Sequence, residues 1–175
     1  NNKTVFATGG SLGAKGINEA LHANIDEFRK NDVQLIWQTG KTFVETATAV
    51  AVENKNIWVN SFIAQMEYAY AAADVVISRS GAMSIAELCV VKKPVVFVPY
   101  PFAAEDHQTV NAQNLVSKGA GIMVKDSEAK EKLVSTVIAL AKDETKQEEL
   151  KQNIGRLAVT DADEVIASAV LKAIA

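Results

Sequence analysis

The sequence predicts an α/β fold built on a doubly wound, six-stranded parallel sheet, and three observations predict it. Short apolar runs rich in Val and Ile alternate with segments of helical periodicity along the whole chain. The runs are apolar at successive positions, as strands covered on both faces should be. Two successive runs, 75–78 and 95–99, are each followed by a polar cluster, so hydrogen-bonding groups are delivered to one edge of the sheet. In open α/β sheets the carboxyl edge is where ligands bind.

Taken in order, residues 4–8, 33–38, 56–59, 75–78, 95–99 and 121–124 read as the six strands. Between the first two, Ile17, Leu21, Ile25 and Phe28 fall on one helical face. Residues 41–53, 65–73, 82–91 and 107–118 read as further helices, and the βαβ alternation implies right-handed crossovers. Residues 127–141 and 144–158 then read as two helices with charged outer faces. The last segment, 161–175, is a helix with Asp161 or Asp163 as N-cap. Val165, Ile166, Ala169, Val170, Ala173 and Ile174 give it an apolar stripe, whose default partner is the domain's own sheet.

The 175 residues fit one domain and suffice for a substantial core, and 49% hydrophobic with 22% charged residues is an ordinary globular balance. A net charge of −3 gives no electrostatic case for a nucleic-acid partner. Cys89 is the single cysteine, which excludes an intramolecular disulfide and a Cys-rich zinc site; in an apolar helix it reads as a buried small residue. His22 and His107 are the two histidines, and no metal cluster is indicated. No signal peptide is visible, and no apolar run approaches the ~20 residues of a membrane span. A cytoplasmic protein, or a piece of one, is expected; a start running straight into a strand and glycine turn reads as a domain cut from something longer.

The first strand ends in TGGSLGAKGIN. Gly9, Gly10 and Gly13 free the backbone for a tight turn at a helix N-terminus, where N–H groups and the macrodipole favour a phosphate, and Ser11 adds a hydroxyl. The spacing is neither G-x-G-x-x-G nor a P-loop. The competing reading is a plain βα turn with Ser11 as N-cap. Glu87 shares a helix face with Ser80 and Ser84, and its carboxylate suits a ribose diol; a capping box from Ser84 to Glu87 is the alternative. Arg79 either neutralises phosphate or pairs with an acid. In EDHQTVNAQ, Glu105 or Asp106 caps the next helix, and His107, Gln108 and Asn111 can face one ligand; amides and an imidazole suit sugar hydroxyls. Phe62, Ile63 and Met66 either wall a base pocket or belong to the core.

GGSLGAKGIN, WQTGK, FIAQM, AAADVVISRSGAMSIAE, PVVFVPYP and DHQTVNA together resemble the C-terminal half of the MurG family, over about residues 3 to 125. These are the N-acetylglucosaminyltransferases of bacterial peptidoglycan synthesis. The resemblance implies a Rossmann-like C-terminal domain of a GT-B glycosyltransferase that binds the donor UDP-N-acetylglucosamine, with no obligatory cofactor. It places Gly10, Ser11 and Gly13 at the diphosphate, with Met83 and Ser84 beside it. Ile63 would hold uracil through its backbone, near Phe62 and Met66. Arg79, Ser80 and Gly81 would line the nucleotide cleft, Glu87 would bind the ribose, and His107 and Gln108 would contact GlcNAc. His107 stands where some family members have Gln.

The same resemblance implies that residues 1–158 form the UDP-sugar domain, and that 159–175 form a helix able to pack on an N-terminal acceptor domain absent from this chain. That domain would supply the general base and meet the lipid-linked acceptor, so this chain alone would bind donor but transfer poorly or not at all. The full enzyme would work peripherally on the cytoplasmic side of the inner membrane. Two other readings remain open: another UDP-sugar GT-B enzyme, such as a lipid glycosyltransferase or a UDP-GlcNAc 2-epimerase, and a non-catalytic nucleotide-sugar binding module. The helix reading revises its default partner: Val165, Ile166 and Val170 should be exposed when the chain is alone.

Overall fold

The computed structural model describes residues 2–174. Residues 1 and 175, the outer ends of the two expected units, lie outside that description. Six strands form one sheet in the order β3-β2-β1-β4-β5-β6, and every pairing is parallel. They are β1 (Lys3–Thr8), β2 (Val33–Gln38), β3 (Ile57–Asn60), β4 (Val75–Ser78), β5 (Val95–Phe97) and β6 (Ile122–Met123). The expected Rossmann-like sheet is therefore present. The strand order reverses between β1 and β4, where Thr8 lies opposite Ser78 at the carboxyl edge. That reversal opens the crevice in which such sheets take ligands.

Nine α-helices are described: α1 (Lys15–Ala23), α2 (Asp26–Lys30), α3 (Val44–Ala51), α4 (Met66–Ala72), α5 (Ala82–Val91), α6 (His107–Ser117), α7 (Ala129–Lys142), α8 (Glu144–Gly155) and α9 (Ala162–Ile174). The two-residue alternation of β1 explains the two layers. Val5 and Ala7 enter one core with Leu35, Trp37, Ile17, Phe28 and Leu133. Phe6 faces the other way, into a second core with Val76, Phe97, Leu88, Ala112 and Ile154. Cys89 is buried there, and burial pushes its thiol pKa up, as befits a packing residue.

Several boundaries depart from the sequence expectation for identifiable reasons. Ile17, Leu21, Ile25 and Phe28 do not share one helix. The chain breaks at Asn24, whose side-chain amide donates to the Ala20 and Lys130 carbonyls at 3.0 and 2.8 Å. A side chain that bonds backbone competes with helix continuation. The fifth strand stops two residues early: the Val98 N–H still reaches the Ser78 carbonyl at 2.9 Å, but Pro99 has no N–H to continue the ladder. β3 is not covered on both faces, because it is the edge strand and Trp58 is half exposed.

α9 is the one α-helix with no buried residue among those described. Val165, Ile166 and Val170 are 57%, 64% and 53% exposed, so its apolar stripe does not pack on the domain's own sheet. Asp161 lies just before its first residue, and Asp163 sits inside the first turn.

Candidate functional site

The glycine turn after β1 and the Arg79-Ser80-Gly81 turn after β4 stand on the two sides of the strand-order reversal. Between them and the Tyr100–Phe102 segment beyond β5 lies an open cleft of ≈ 720 Å³. Among the expected residues, Gly10, Ser11, Gly13, Arg79, Gly81, Ser84 and Gln108 line it.

The glycine turn is shaped by sterics. Gly13 has φ +77°, and a Cβ there would run into the Thr39 carbonyl, so the loop lies directly on the turn that follows β2. The Gly13 N–H closes onto the Gly10 carbonyl at 3.1 Å. α1 begins at Lys15 with Ala14 at its cap position and no side-chain cap, so Ser11 is not the N-cap; it stands exposed before the helix. The first turn of α1 therefore lies on the cleft with no side chain capping its N–H groups, an arrangement suited to an anion.

Arg79 is committed. Its Nη1 donates to the Val98 and Pro99 carbonyls, each at 2.9 Å, and to Asp126 Oδ1 at 2.6 Å. Its guanidinium also lies 5.6 Å from the Tyr100 ring centroid. Of the two options open in the sequence, pairing with an acid is the contact made, inside the cleft wall rather than on the surface. Asp126 is in turn pressed against Gly16 in the first turn of α1, where a Cβ would meet its carboxylate.

α5 starts at Ala82, so Ser84 and Glu87 lie within it and form no capping box; Ser80 precedes the helix and shares no helical face with them. Ser80 is fully buried and its Oγ donates to the Gln108 carbonyl at 2.8 Å. Glu87 is exposed and accepts a hydrogen bond from the Tyr70 hydroxyl at 3.1 Å. Burial, with the Glu87 carboxylate adding to it, holds the Tyr70 phenol well above its ordinary pKa. Met83 is exposed beside Ser84.

His107, Gln108 and Asn111 are not brought to one point. Gln108 Oε1 accepts from the Ser80 N–H at 3.3 Å and the Tyr100 N–H at 3.0 Å, and Asn111 Nδ2 donates to the Ser80 carbonyl at 3.1 Å. These amides clip the start of α6 to the β4 and β5 turns. His107 is exposed and its Nδ1 lies 2.7 Å from the Ala104 carbonyl, outside the cleft lining. Asp106 holds the cap position of α6, but its carboxylate takes the Thr109 hydroxyl at 2.6 Å instead of a backbone N–H. Asp106 itself has φ +52°, which turns its backbone away from ordinary cap geometry.

Phe62 is exposed, Ile63 buried and Met66 half-buried against the second core. The Ile63 N–H donates to Gln38 Oε1 at 2.8 Å, and its carbonyl accepts no backbone hydrogen bond among the described residues. Lys15, Glu19, Tyr100, Pro101, Phe102 and Asp126 also line the cleft and were not anticipated. The PYPF run after the fifth apolar strand carried a signal for three of them; Asp126 had none, because it lies 47 residues from Arg79. Among the described residues, no three His, Cys, Asp or Glu side chains converge as a metal site.

Residues 4–166 match the glycosyltransferase family 28 C-terminal domain. The chain is 49% identical over 174 residues to a UDP-N-acetylglucosamine--N-acetylmuramyl-(pentapeptide) pyrophosphoryl-undecaprenol N-acetylglucosamine transferase of Bacteroides thetaiotaomicron, covering 97% of this chain and 47% of that protein. A protein of the same name from Parabacteroides distasonis is 44% identical, with 98% and 47% covered. The crystal structure of Acinetobacter baumannii MurG superposes with a TM-score of 0.87 at 28% identity, covering 98% of this chain and 50% of that one. The chain thus spans about half the length of the curated relatives it matches.

Proposed function

The chain belongs to the glycosyltransferase family 28 C-terminal domain family, and from that premise we propose that it is the donor-binding half of the transferase that adds GlcNAc to undecaprenyl-pyrophosphoryl-muramoyl-pentapeptide, converting lipid I to lipid II. The observation that carries the reading is the placement of the uncapped first turn of α1, behind the Gly10–Gly13 loop, on the cleft at the strand-order reversal. The names of the relatives at 44–49% identity supply the substrate.

In this reading the diphosphate of UDP-GlcNAc rests on Gly10, Ser11 and Gly13, beside Met83 and Ser84. Arg79 and Gly81 form the floor, with the buried Ser80 holding their turn to Gln108 beneath it; because Arg79 is paired with Asp126, it shapes the cleft more than it adds free charge. Uracil meets the Ile63 backbone, whose carbonyl is the group left for a base N–H, with Phe62 and Met66 nearby. The exposed Glu87 takes the ribose hydroxyls, and Tyr70 orients its carboxylate. Gln108 and His107 meet the sugar; Gln108 retains its Nε2 for this while its Oε1 holds the backbone. Asn111 serves by fixing the Ser80 turn.

The acceptor's C4 hydroxyl attacks the anomeric carbon with inversion, and UDP leaves. The charge gathering on the β-phosphate is met by the N–H groups and dipole of α1, which need no reorganisation as it forms. The general base and the lipid-linked acceptor site belong to the half of the relatives that this chain does not span. Residues 1–158 are then the UDP-sugar unit, and α9 offers its apolar stripe to that other half. Binding of donor without transfer is the expected behaviour of this chain. Among the described residues no helix is long and apolar enough to cross a membrane; attachment of the whole enzyme is read as peripheral, on the cytoplasmic face.

Calorimetric titration with UDP-GlcNAc, UDP-glucose, UDP and ADP, beside Glu87→Ala, tests the reading. Preference for UDP-GlcNAc, weakened about tenfold by Glu87→Ala as loss of charge-assisted hydrogen bonds requires, is expected. Equal binding of ADP and UDP would overturn it.

A further inference from the structure

The WQTGK motif is a sequence feature to which the donor reading gives no role, and its glutamine occupies an unusual place. Gln38 is the last residue of β2, only 3% exposed, in a position where packing alone asks for an apolar side chain. Its Nε2 donates to Thr8 Oγ1 and to the Gly10 carbonyl, both at 3.1 Å. Its Oε1 accepts from the Ile63 N–H at 2.8 Å. Thr8 Oγ1 accepts in turn from the Gly10 N–H at 3.2 Å, so both sides of Gly10 are fixed through this one amide. A carboxylate could not donate to Gly10, and an apolar side chain would leave the Ile63 N–H without its partner and the Gly10 carbonyl held by the Gly13 N–H alone.

The same turn braces the glycine loop a second time. Asn18 Nδ2 donates to the Thr39 carbonyl at 2.8 Å, and Trp37 Nε1 donates to Asn18 Oδ1 at 2.9 Å. Gly13 lies on that same Thr39 carbonyl. Gln38 is therefore the point at which the end of β1, the glycine loop and the turn after β3 are bonded to one another.

We propose that Gln38 is a positioning residue for a nucleoside diphosphate: it sets the separation between the loop that takes the diphosphate and the Ile63 turn that takes the base. This rests on the donor reading above. It acts through Gly10 and Ile63 and touches no ligand itself. A ligand that spans both subsites gains from their fixed spacing, whereas one that fills only the base subsite does not.

The test compares UDP with uridine on the wild-type chain, Gln38→Met and Thr8→Val. Methionine keeps the length and removes every hydrogen bond; valine removes only the hydroxyl at the glycine-loop end. In Gln38→Met, UDP affinity is expected to fall about tenfold, the worth of one or two lost hydrogen bonds, with uridine affinity unchanged or raised. Amide exchange at Ile63 should quicken in Gln38→Met and stay as it was in Thr8→Val, while Thr8→Val still loses UDP affinity selectively. Should Gln38→Met not fold, the UDP-to-uridine ratio in Thr8→Val decides alone. A wild-type chain that does not prefer UDP to uridine overturns the donor reading and this inference together. Wild-type preference for UDP that both variants share, or equal losses for the two ligands, overturns the positioning role alone and leaves Gln38 a stabilising residue.

Discussion

Arg79 and Asp126, 47 positions apart, meet at 2.6 Å in the wall of the cleft with side chains only 12% and 21% exposed. The pair joins the turn after β4 to the segment before α7 and rests against the first turn of α1. Removing one member leaves the other charge poorly solvated. Asp126→Ala is expected to cost about 3 kcal/mol of unfolding free energy, measured by urea denaturation. A loss below about 1 kcal/mol, the scale of a surface pair, would show that solvent already screens the contact.

Gly13 is held by two constraints at once, its φ of +77° and the Thr39 carbonyl in the space a Cβ would fill. Gly13→Ala is expected to lose more than about 2 kcal/mol and to weaken UDP binding, because the loop can relieve the clash only by leaving the β2 turn. Thermal melts and titration on the same sample check both, and unchanged binding would detach the loop from the ligand.

Tyr70 makes stability depend on pH at the alkaline end. Its folded pKa lies above the ordinary 10.0, chiefly through burial. The folded state therefore holds this proton more tightly than the unfolded state does. Its contribution is complete below pH 10 and is lost as pH rises through the folded value. Tyr70→Phe, which removes the bond to Glu87, should be less stable than wild type by about 1 kcal/mol at pH 8. The gap should close as pH rises above 10. Unfolding free energies of both proteins from pH 8 to 11 would expose a constant gap, which contradicts this.

The α9 stripe separates fold from association. Ile166 is 64% exposed, so Ile166→Glu should change the chain's own stability by less than about 0.5 kcal/mol. In the proposed reading it should also weaken association with the half of the relatives that this chain does not span, measured by mixing the two in analytical ultracentrifugation. A large stability loss in the isolated chain would mean that α9 packs on its own domain.

The parallel sheet was legible because its strands are written as apolar runs separated by helical patterns, a local signal that needs no partner. The cleft's glycine side was legible for the same reason: Gly10 and Gly13 stand where a strand gives way to a helix. The break at Asn24 was less legible, since it depends on a carbonyl of Lys130 more than a hundred residues away. So was the dispersal of His107, Gln108 and Asn111, whose helical spacing says they can converge but not that Ser80 and Tyr100 will claim the two amides first.

By itself the sequence determined the layer architecture, the strand count, the glycine turn at the carboxyl edge and the apolar stripe on the last helix. These follow from periodicity and backbone sterics, which act over a few residues. Only the tertiary structure decided which polar groups remain available. It spent Arg79 on Asp126, Asn111 on Ser80 and the Ile63 N–H on Gln38, and it left Glu87 exposed and the first turn of α1 without a side-chain cap. The physical reason is that a buried donor or acceptor must find a partner on folding, and that partner is set by which strand ends become neighbours in space.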